Sequence, residues 1–227
     1  MRCDMGFGEK NRFQTDLIIF DLDGTLIDSS EDIAWAANRT LEAFGYGQRP
    51  IPAIKEHIGW GVKPLLEKLM PDEGAERITE ARERFLEFYG NHLLVETVMY
   101  QGVEETLRHF TGLDKLMAII TNKPVGLTLR ILDELKIAVH FKMVLGGDSL
   151  PNKKPHPEPV EKTFKVLGVE PSRTVIVGDS PVDCEAGKAA GTNTIGVSYG
   201  FRGRRELAEA GCGLIIDRFP ELKDCLV

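Results

Sequence analysis

No apolar run in the 227-residue sequence approaches the roughly 18 residues that a membrane-spanning helix needs, so no membrane partner is expected. The opening residues, MRCDMGFGEKNRFQ, lack the apolar centre of a signal peptide. Cysteine is scarce: Cys3, Cys184, Cys212 and Cys225 form no C-x-x-C pair and no metal-ligand spacing. A chain of this length does not need covalent staples, so the four read as reduced thiols and the expected compartment is the cytoplasm. Basic charge is not in excess either. Lys and Arg number 28 against 35 Asp and Glu, a net charge of -7, which argues against a nucleic-acid backbone as partner. Surplus acid has another use, holding a divalent cation. Internal repeats and low-complexity tracts are absent. What is present, 42% hydrophobic and 28% charged residues, excludes disorder, collagen and coiled coil. The length fits one large α/β domain or a core with a smaller inserted domain.

Several apolar runs are too short for helices: 17–20, 116–120, 143–145, 174–177, 194–197 and 214–216. Runs that are apolar throughout, rather than alternating, suit strands covered on both faces, as in a parallel sheet. Helical spacing lies between them, in Leu127, Ile131, Leu132 and Leu135, and again in Val160, Phe164 and Leu167. A further helix opens near Pro181 and stops at Gly191. Strand and helix thus alternate from residue 103 onward, the pattern of a doubly wound α/β sheet.

Residues 28–100 break that alternation. Ile33, Ala37, Leu41 and Phe44 predict an amphipathic helix with Ser29 or Ser30 as cap and Gly45 as its end. Val62, Leu65, Leu66 and Leu69 predict a second, with Pro64 in its first turn. Ile78, Ala81, Phe85 and Phe88 predict a third, its solvated face carrying Glu73/Arg77 and Glu80/Arg84 at i,i+4. Pro50-Ile51-Pro52 reads as a turn inside this segment. The expected organisation is a core of 1–27 and 101–227, with 1–14 as a tail, and a helical cap over 28–100 inserted after the first strand.

Ligands of an open parallel sheet bind beyond the carboxyl ends of its strands. The residues after the first run are Asp21-Leu22-Asp23-Gly24-Thr25; after the second, Thr121-Asn122-Lys123; after the fourth, Gly178-Asp179-Ser180, with Asp183 beyond. A calcium loop beginning at Asp21 would need a bidentate Glu at its twelfth position, where Asp32 stands. Carboxylates gathered at strand ends repel one another unless a cation joins them, and oxygen-only ligands suit Mg²⁺. A carboxylate beside such an ion can attack phosphorus, and a second carboxyl two residues on can protonate the leaving oxygen and later deprotonate water. The charge on a transferring phosphoryl group calls for a hydroxyl and a lysine, here Thr121 and Lys154, with Lys153 as an alternative to Lys154.

Asp21-Leu22-Asp23-Gly24-Thr25-Leu26, Thr121-Asn122-Lys123-Pro124, Lys154-Pro155-His156-Pro157 and Gly178-Asp179-Ser180-x-x-Asp183 resemble, in order, the four motifs of the haloacid-dehalogenase superfamily. Steps of 100, 33 and 25 residues separate Asp21, Thr121, Lys154 and Asp179, and the resemblance covers the chain after residue 14. The long gap after the first motif matches the helical cap that this superfamily inserts there. Gly59-Trp60-Gly61, Gln101-Gly102-Val103, Gly146-Gly147-Asp148-Ser149 and Lys-Pro-His-Pro-Glu-Pro narrow the likeness to phosphoglycolate phosphatases. The resemblance implies Asp21 as nucleophile and Asp23 as general acid/base, with the Asp23 backbone carbonyl on Mg²⁺. It also implies Asp179 as a direct metal ligand, Thr121 and Asn122 on the phosphoryl group, and Lys154 balancing charge and holding Asp21. Asp183 is either a metal ligand, direct or through an intermediary, or simply a helix cap.

Asp23 argues against haloacid dehalogenases, which lack this acid, and against P-type ATPases, which carry Thr there. Gly178, where phosphoglucomutases often have an acid, weakens a mutase reading. His156 between prolines reads as a surface residue, Cys184 as a small packed one, and Trp60 as buried in the cap or at its interface with the core. Substrate choice falls to the cap. Gly59-Trp60-Gly61-Val62-Lys63 is either an ordinary turn or a carboxylate site, with Gly61 exposing backbone N–H groups and Lys63 adding charge. Hinges are expected near Leu26–Ser29 and Tyr100–Gly102. The expected activity is hydrolysis of 2-phosphoglycolate by a monomer or homodimer with no nucleic-acid partner. Pyrophosphatase, sugar-phosphate phosphatase or phosphomutase, and a non-catalytic phosphate-ligand binding protein are the alternatives.

Overall fold

The computed structural model describes residues 12–227, so Cys3 and most of the expected 1–14 tail lie outside the described residues. The chain runs through β1 (Leu17–Phe20), a short β2 (Ile27–Asp28), helices α1 (Ser30–Ala43), α2 (Ile51–Lys55), α3 (Val62–Leu69) and α4 (Ala75–Asn91), and a short β3 (Val98–Met99). It then alternates: α5 (Val103–Gly112), β4 (Leu116–Ile120), α6 (Val125–Glu134), β5 (Met143–Leu145), α7 (Glu158–Leu167), β6 (Thr174–Gly178), α8 (Pro181–Ala189), β7 (Asn193–Val197), α9 (Arg204–Glu209), β8 (Leu214–Ile216) and α10 (Leu222–Cys225).

The six expected strands form one parallel sheet in the order β5-β4-β1-β6-β7-β8. β1 lies inside it, Leu17 beside Leu116 on one flank and beside Thr174 on the other. Its side chains alternate between two apolar layers. Ile18, Phe20, Met117, Ile119, Val175 and Val177 share one; Leu17, Ile19, Ala118, Ile120 and Ile176 share the other with Val160, Phe164 and Ala186. Cover on both faces is why these runs contain no polar alternation. The chain leaves β1 toward β4 and leaves the neighbouring β6 toward β7, so the loops beyond these two strands diverge and open a crevice between them. No helix among the described residues is long and apolar enough to cross a membrane.

The helices between β2 and β3 bury a core of their own: Ile33, Ala37 and Leu41 of α1, Leu65, Leu66 and Leu69 of α3, and Ile78, Ala81, Phe85 and Tyr89 of α4. Details depart from expectation. Ile51 and Pro52 open α2 rather than a turn, because Pro50 is extended and a proline in the first helical turn sacrifices no hydrogen bond. Neither Ser29 nor Ser30 caps α1 with its side chain; Asp28 Oδ1 instead accepts the Ser30 N–H (3.0 Å) and hydroxyl (2.6 Å). Arg84 pairs with Glu87 at 2.6 Å, not with Glu80, while Arg77 does reach Glu73 at 4.0 Å. Trp60 is 42% exposed rather than buried. Asp32, fully buried, accepts N–H groups from Val95 (3.1 Å), Glu96 (3.1 Å) and Thr97 (2.9 Å) and the Thr97 hydroxyl (2.6 Å), tying α1 to the returning chain.

The expectation of reduced thiols is corrected at two positions. Cys184 on α8 and Cys212, after α9, are joined as a disulfide with Cα atoms 5.2 Å apart, a separation within the range that such bonds require. They are 28 residues apart in sequence and meet only because α8 and the approach to β8 lie beside each other in the fold. Cys225 is a free, buried cysteine. The cysteine-based argument for a reducing compartment falls with this correction.

Candidate active site

The turn after β1 delivers Asp21 and Asp23, both buried, to the crevice. Gly24 has φ +85°, and a Cβ there would lie 2.2 Å from Asp179 Oδ2. Only glycine therefore lets this turn approach the end of β6 so closely. Gly200 packs on the other side of Asp179, where a Cβ would fall 2.3 Å from that residue's own Cβ. Asp179 is held from behind by the Phe201 N–H, 2.7 Å from Oδ2.

Lys154, only 1% exposed, extends its ammonium to Asp21 Oδ1 (2.9 Å) and Asp183 Oδ1 (2.6 Å). Lys153 turns the other way and donates to the Trp60 carbonyl at 2.7 Å. Asp183 serves α8 as well. Its Oδ2 accepts the Ser180 N–H (3.1 Å) and hydroxyl (2.7 Å), completing a capping box. Carboxylate oxygens of Asp21, Asp179 and Asp183 come within 4.8 Å of one another. Burial pushes the Asp21 carboxyl up to about 6; Lys154 opposes the shift, and Asp183 and Asp23 add to it. Burial, then repulsion from Asp21 and Asp183, holds Asp179 well above the usual carboxylate range. Burial works against the Lys154 charge, but Asp183 and Asp21 outweigh it and raise the ammonium to about 12. This buried, oxygen-only set has more negative charge than Lys154 alone neutralises, and its donor chemistry fits a hard divalent cation.

Asp23 belongs to a different set of contacts. Ser29 donates its hydroxyl to Oδ1 at 2.6 Å, and Lys123 Nζ lies 2.7 Å from Oδ1 and 2.8 Å from Oδ2. Lys123 also donates to the Tyr89 hydroxyl of α4 at 2.8 Å. Burial opposes the Lys123 charge, yet Asp23 and Tyr89 hold its pKa above the ordinary lysine value. Burial pushes the Tyr89 phenol up to about 12. Thr121 Oγ1 accepts the Lys123 N–H at 3.2 Å, leaving its own hydroxyl hydrogen free to donate.

A cavity of about 50 Å³ lies between the sheet edge and the helical layer. Asp21, Asp23, Thr121, Asn122 and Lys123 line its polar end, and Ile33, Leu65 and Phe85 its apolar end. The loop after α2 roofs it and is held by backbone carbonyls. Arg202 donates to the carbonyls of Lys55 (3.1 Å), Glu56 (2.7 Å) and Ile58 (2.9 Å), and Asn122 Nδ2 to those of Gly59 (2.9 Å) and Lys154 (3.0 Å).

Gly61 lines the cavity with φ +94°. Lys63 does not. Burial of Leu65, Leu66 and Leu69 turns it outward, where it pairs with Glu67 at 3.7 Å and its side chain is 59% exposed. The cation in the cavity wall is Lys123, which sequence reasoning quoted within its motif without assigning it work. Its position two residues beyond Thr121 was the available signal. Ser29, Tyr89 and Arg202 had none, since their roles depend on contacts between distant segments. His156 is exposed, and its Nδ1 accepts the Glu158 N–H at 3.1 Å.

Strand-end carboxylates on a parallel sheet beneath a helical layer, with buried Lys154 on Asp21 and Asp183 and buried Lys123 on Asp23, define an α/β enzyme with an acidic, cation-accepting centre. Residues 18–197 match the model of the haloacid dehalogenase-like hydrolases, and the chain belongs to that family. Among its relatives is the phosphoglycolate phosphatase of Pseudomonas fluorescens (strain Pf0-1), 39% identical over 213 residues, which cover 91% of this chain and 78% of the relative. The phosphoglycolate phosphatase of Aquifex aeolicus (strain VF5) is 40% identical over 185 residues, covering 82% and 85%. A crystal structure of a predicted phosphoglycolate phosphatase from Haemophilus somnus 129PT superposes with a TM-score of 0.86 at 31% identity, covering 92% of this chain and 97% of that one.

Proposed function

We propose that this hydrolase is a Mg²⁺-dependent phosphomonoesterase acting on a small ester, 2-phosphoglycolate foremost, through an aspartyl-phosphate on Asp21. The observation that carries the reading is the Asp21 carboxylate, buried beside Lys154 and close to Asp179 and Asp183, with Asp23 two residues on. The relatives' names support the substrate, and a cavity of about 50 Å³ favours small esters.

In this reading Asp21 attacks phosphorus and the bond from phosphorus to the organic oxygen breaks, while Asp23 gives that oxygen its proton. Asp23 next takes a proton from water, whose oxygen attacks phosphorus and releases phosphate, restoring the Asp21 carboxylate. Thr121 donates its hydroxyl to a phosphoryl oxygen. The Asn122 side-chain amide is occupied by the Gly59 and Lys154 carbonyls, so its contact with the phosphoryl group falls to its backbone N–H. Lys154 holds Asp21 in place and offsets charge. Asp21, the Asp23 carbonyl and Asp179 would hold Mg²⁺, with Asp183 fixing Lys154 beside them, and the ion would neutralise charge on the phosphoryl oxygens.

We place the cap at 28–100, with hinges near Leu26–Ser29 and Tyr100–Gly102; the antiparallel pairing of Ile27 with Met99 supports crossings at these points. The test is phosphate release with Mg²⁺ from 2-phosphoglycolate, pyrophosphate and sugar phosphates, alongside Asp21→Asn. The variant should keep the fold and lose turnover. Persistent activity would remove Asp21 as nucleophile, and preference for another ester would discard the substrate while keeping the chemistry.

A further inference from the structure

The geometry points to Lys123 as the residue that selects the substrate, by exchanging Asp23 for a second anionic group that the ester carries beside its phosphate. This deepens the function proposed above and rests on it. The Lys123 side chain is 4% exposed, and it is the one cation in the cavity wall among the described residues. Its three N–H donors are matched by three acceptors, the two oxygens of Asp23 and the Tyr89 hydroxyl. Nothing is left over for a ligand, so an incoming anion must displace one of these partners.

Asp23 is the partner to be displaced. Lys123 on both its oxygens and the Ser29 hydroxyl on one take three of its four acceptor sites and hold it against Lys123, leaving a single site on Oδ2 for the leaving group. Tyr89 sits on α4 of the cap and anchors Lys123 independently of Asp23, so the ammonium stays beside the cavity when it lets the carboxylate go. The other side chains of the cap-side wall, Ile33, Leu65 and Phe85 among them, are apolar and offer an anion no second charge. An ester with a carboxylate on its organic part meets Lys123 and frees Asp23. An ester without one leaves the pair closed. Recognition and turnover are thereby linked: the second charge raises kcat as well as lowering KM.

The experiment compares kcat and KM of the Mg²⁺-loaded wild type for three esters of similar size: 2-phosphoglycolate, ethyl phosphate and 2-aminoethyl phosphate. Expected is a fall in kcat in that order, with roughly a 10- to 100-fold drop from the acid to the neutral ester, the range of a hydrogen bond to a charged group. In Lys123→Met the acid-to-neutral ratio should collapse toward one, because the acid loses more than the neutral ester. Tyr89→Phe keeps the ammonium but removes the anchor that holds it once Asp23 lets go, and should lower the ratio less than Lys123→Met does. Equal kcat for all three esters in the wild type, or an undiminished ratio in Lys123→Met, would overturn the assignment and leave the phosphatase reading standing. Absence of turnover with every ester would remove both. Should Lys123→Met fail to fold, the wild-type ranking decides.

Discussion

Replacing Lys154 by methionine removes a charge while keeping an unbranched side chain of similar length. Lys154 is 1% exposed and contacts Asp21 at 2.9 Å and Asp183 at 2.6 Å, so its loss leaves buried carboxylates without their counter-charge. Breaking a buried pair from one side costs about 3–5 kcal/mol, and at about 2–4 °C per kcal/mol for a chain of this size the melting temperature should fall by about 6–20 °C. The sign with pH follows from Asp21, whose carboxyl is pushed up to about 6 from 3.8. Below that value Asp21 is protonated and needs Lys154 less; above it the wild type holds a paired carboxylate, whereas the variant, without the lowering effect of Lys154, holds either an orphaned charge or a retained proton. The loss should therefore be larger at about pH 7.5 than at about pH 5. Thermal melts by circular dichroism in EDTA at both pH values measure it. A drop of under about 2 °C, or an equal drop at both pH values, would refute the view that Lys154 stabilises the site by charge.

Other outcomes follow from the same geometry. Gly24→Ala places a methyl group 2.2 Å from Asp179 Oδ2 at φ +85°, so calorimetry should show a loss of Mg²⁺ affinity of at least about tenfold, beyond any change in melting temperature. In the metal-free wild type, the raised Asp21 contributes stability that is complete below about pH 3.8 and lost as pH rises through about 6. Denaturant midpoints should fall across that window, and millimolar Mg²⁺ should restore them. Asp32→Ala removes the acceptor for Val95, Glu96 and Thr97, and should cost about 2–4 kcal/mol at about 1 kcal/mol per bond. Hydrogen exchange should speed up first at these amides, and uniform acceleration along the chain would contradict the local role.

Much of this was legible because burial writes itself into composition. All six sheet strands lie where continuous apolar runs stand, since a strand covered on both faces admits no polar alternation. The amphipathic spacing of α1, α3 and α4 showed in the same way which residues build the cap core. That Lys63 stands outside the cavity wall was not legible, because proximity along the chain does not show that the packing of Leu65 and Leu66 turns it to solvent. The short α2 escaped because five residues between prolines and turns carry little periodicity.

Local chemistry, then, determined which residues could do the work: carboxylates, hydroxyls and lysines placed just past strand ends, whose spacing along the chain follows from the length of the intervening helices. Tertiary structure decided how they pair. Lys154 with Asp21 and Asp183, Lys123 with Asp23 and Tyr89, Arg202 with the carbonyls of the cap loop, and Cys184 with Cys212 each join segments between 28 and 147 residues apart. Such pairs depend on sheet order and on the seating of the cap, and sheet order is set by the packing of whole layers, which leaves no local trace in the residues it brings together.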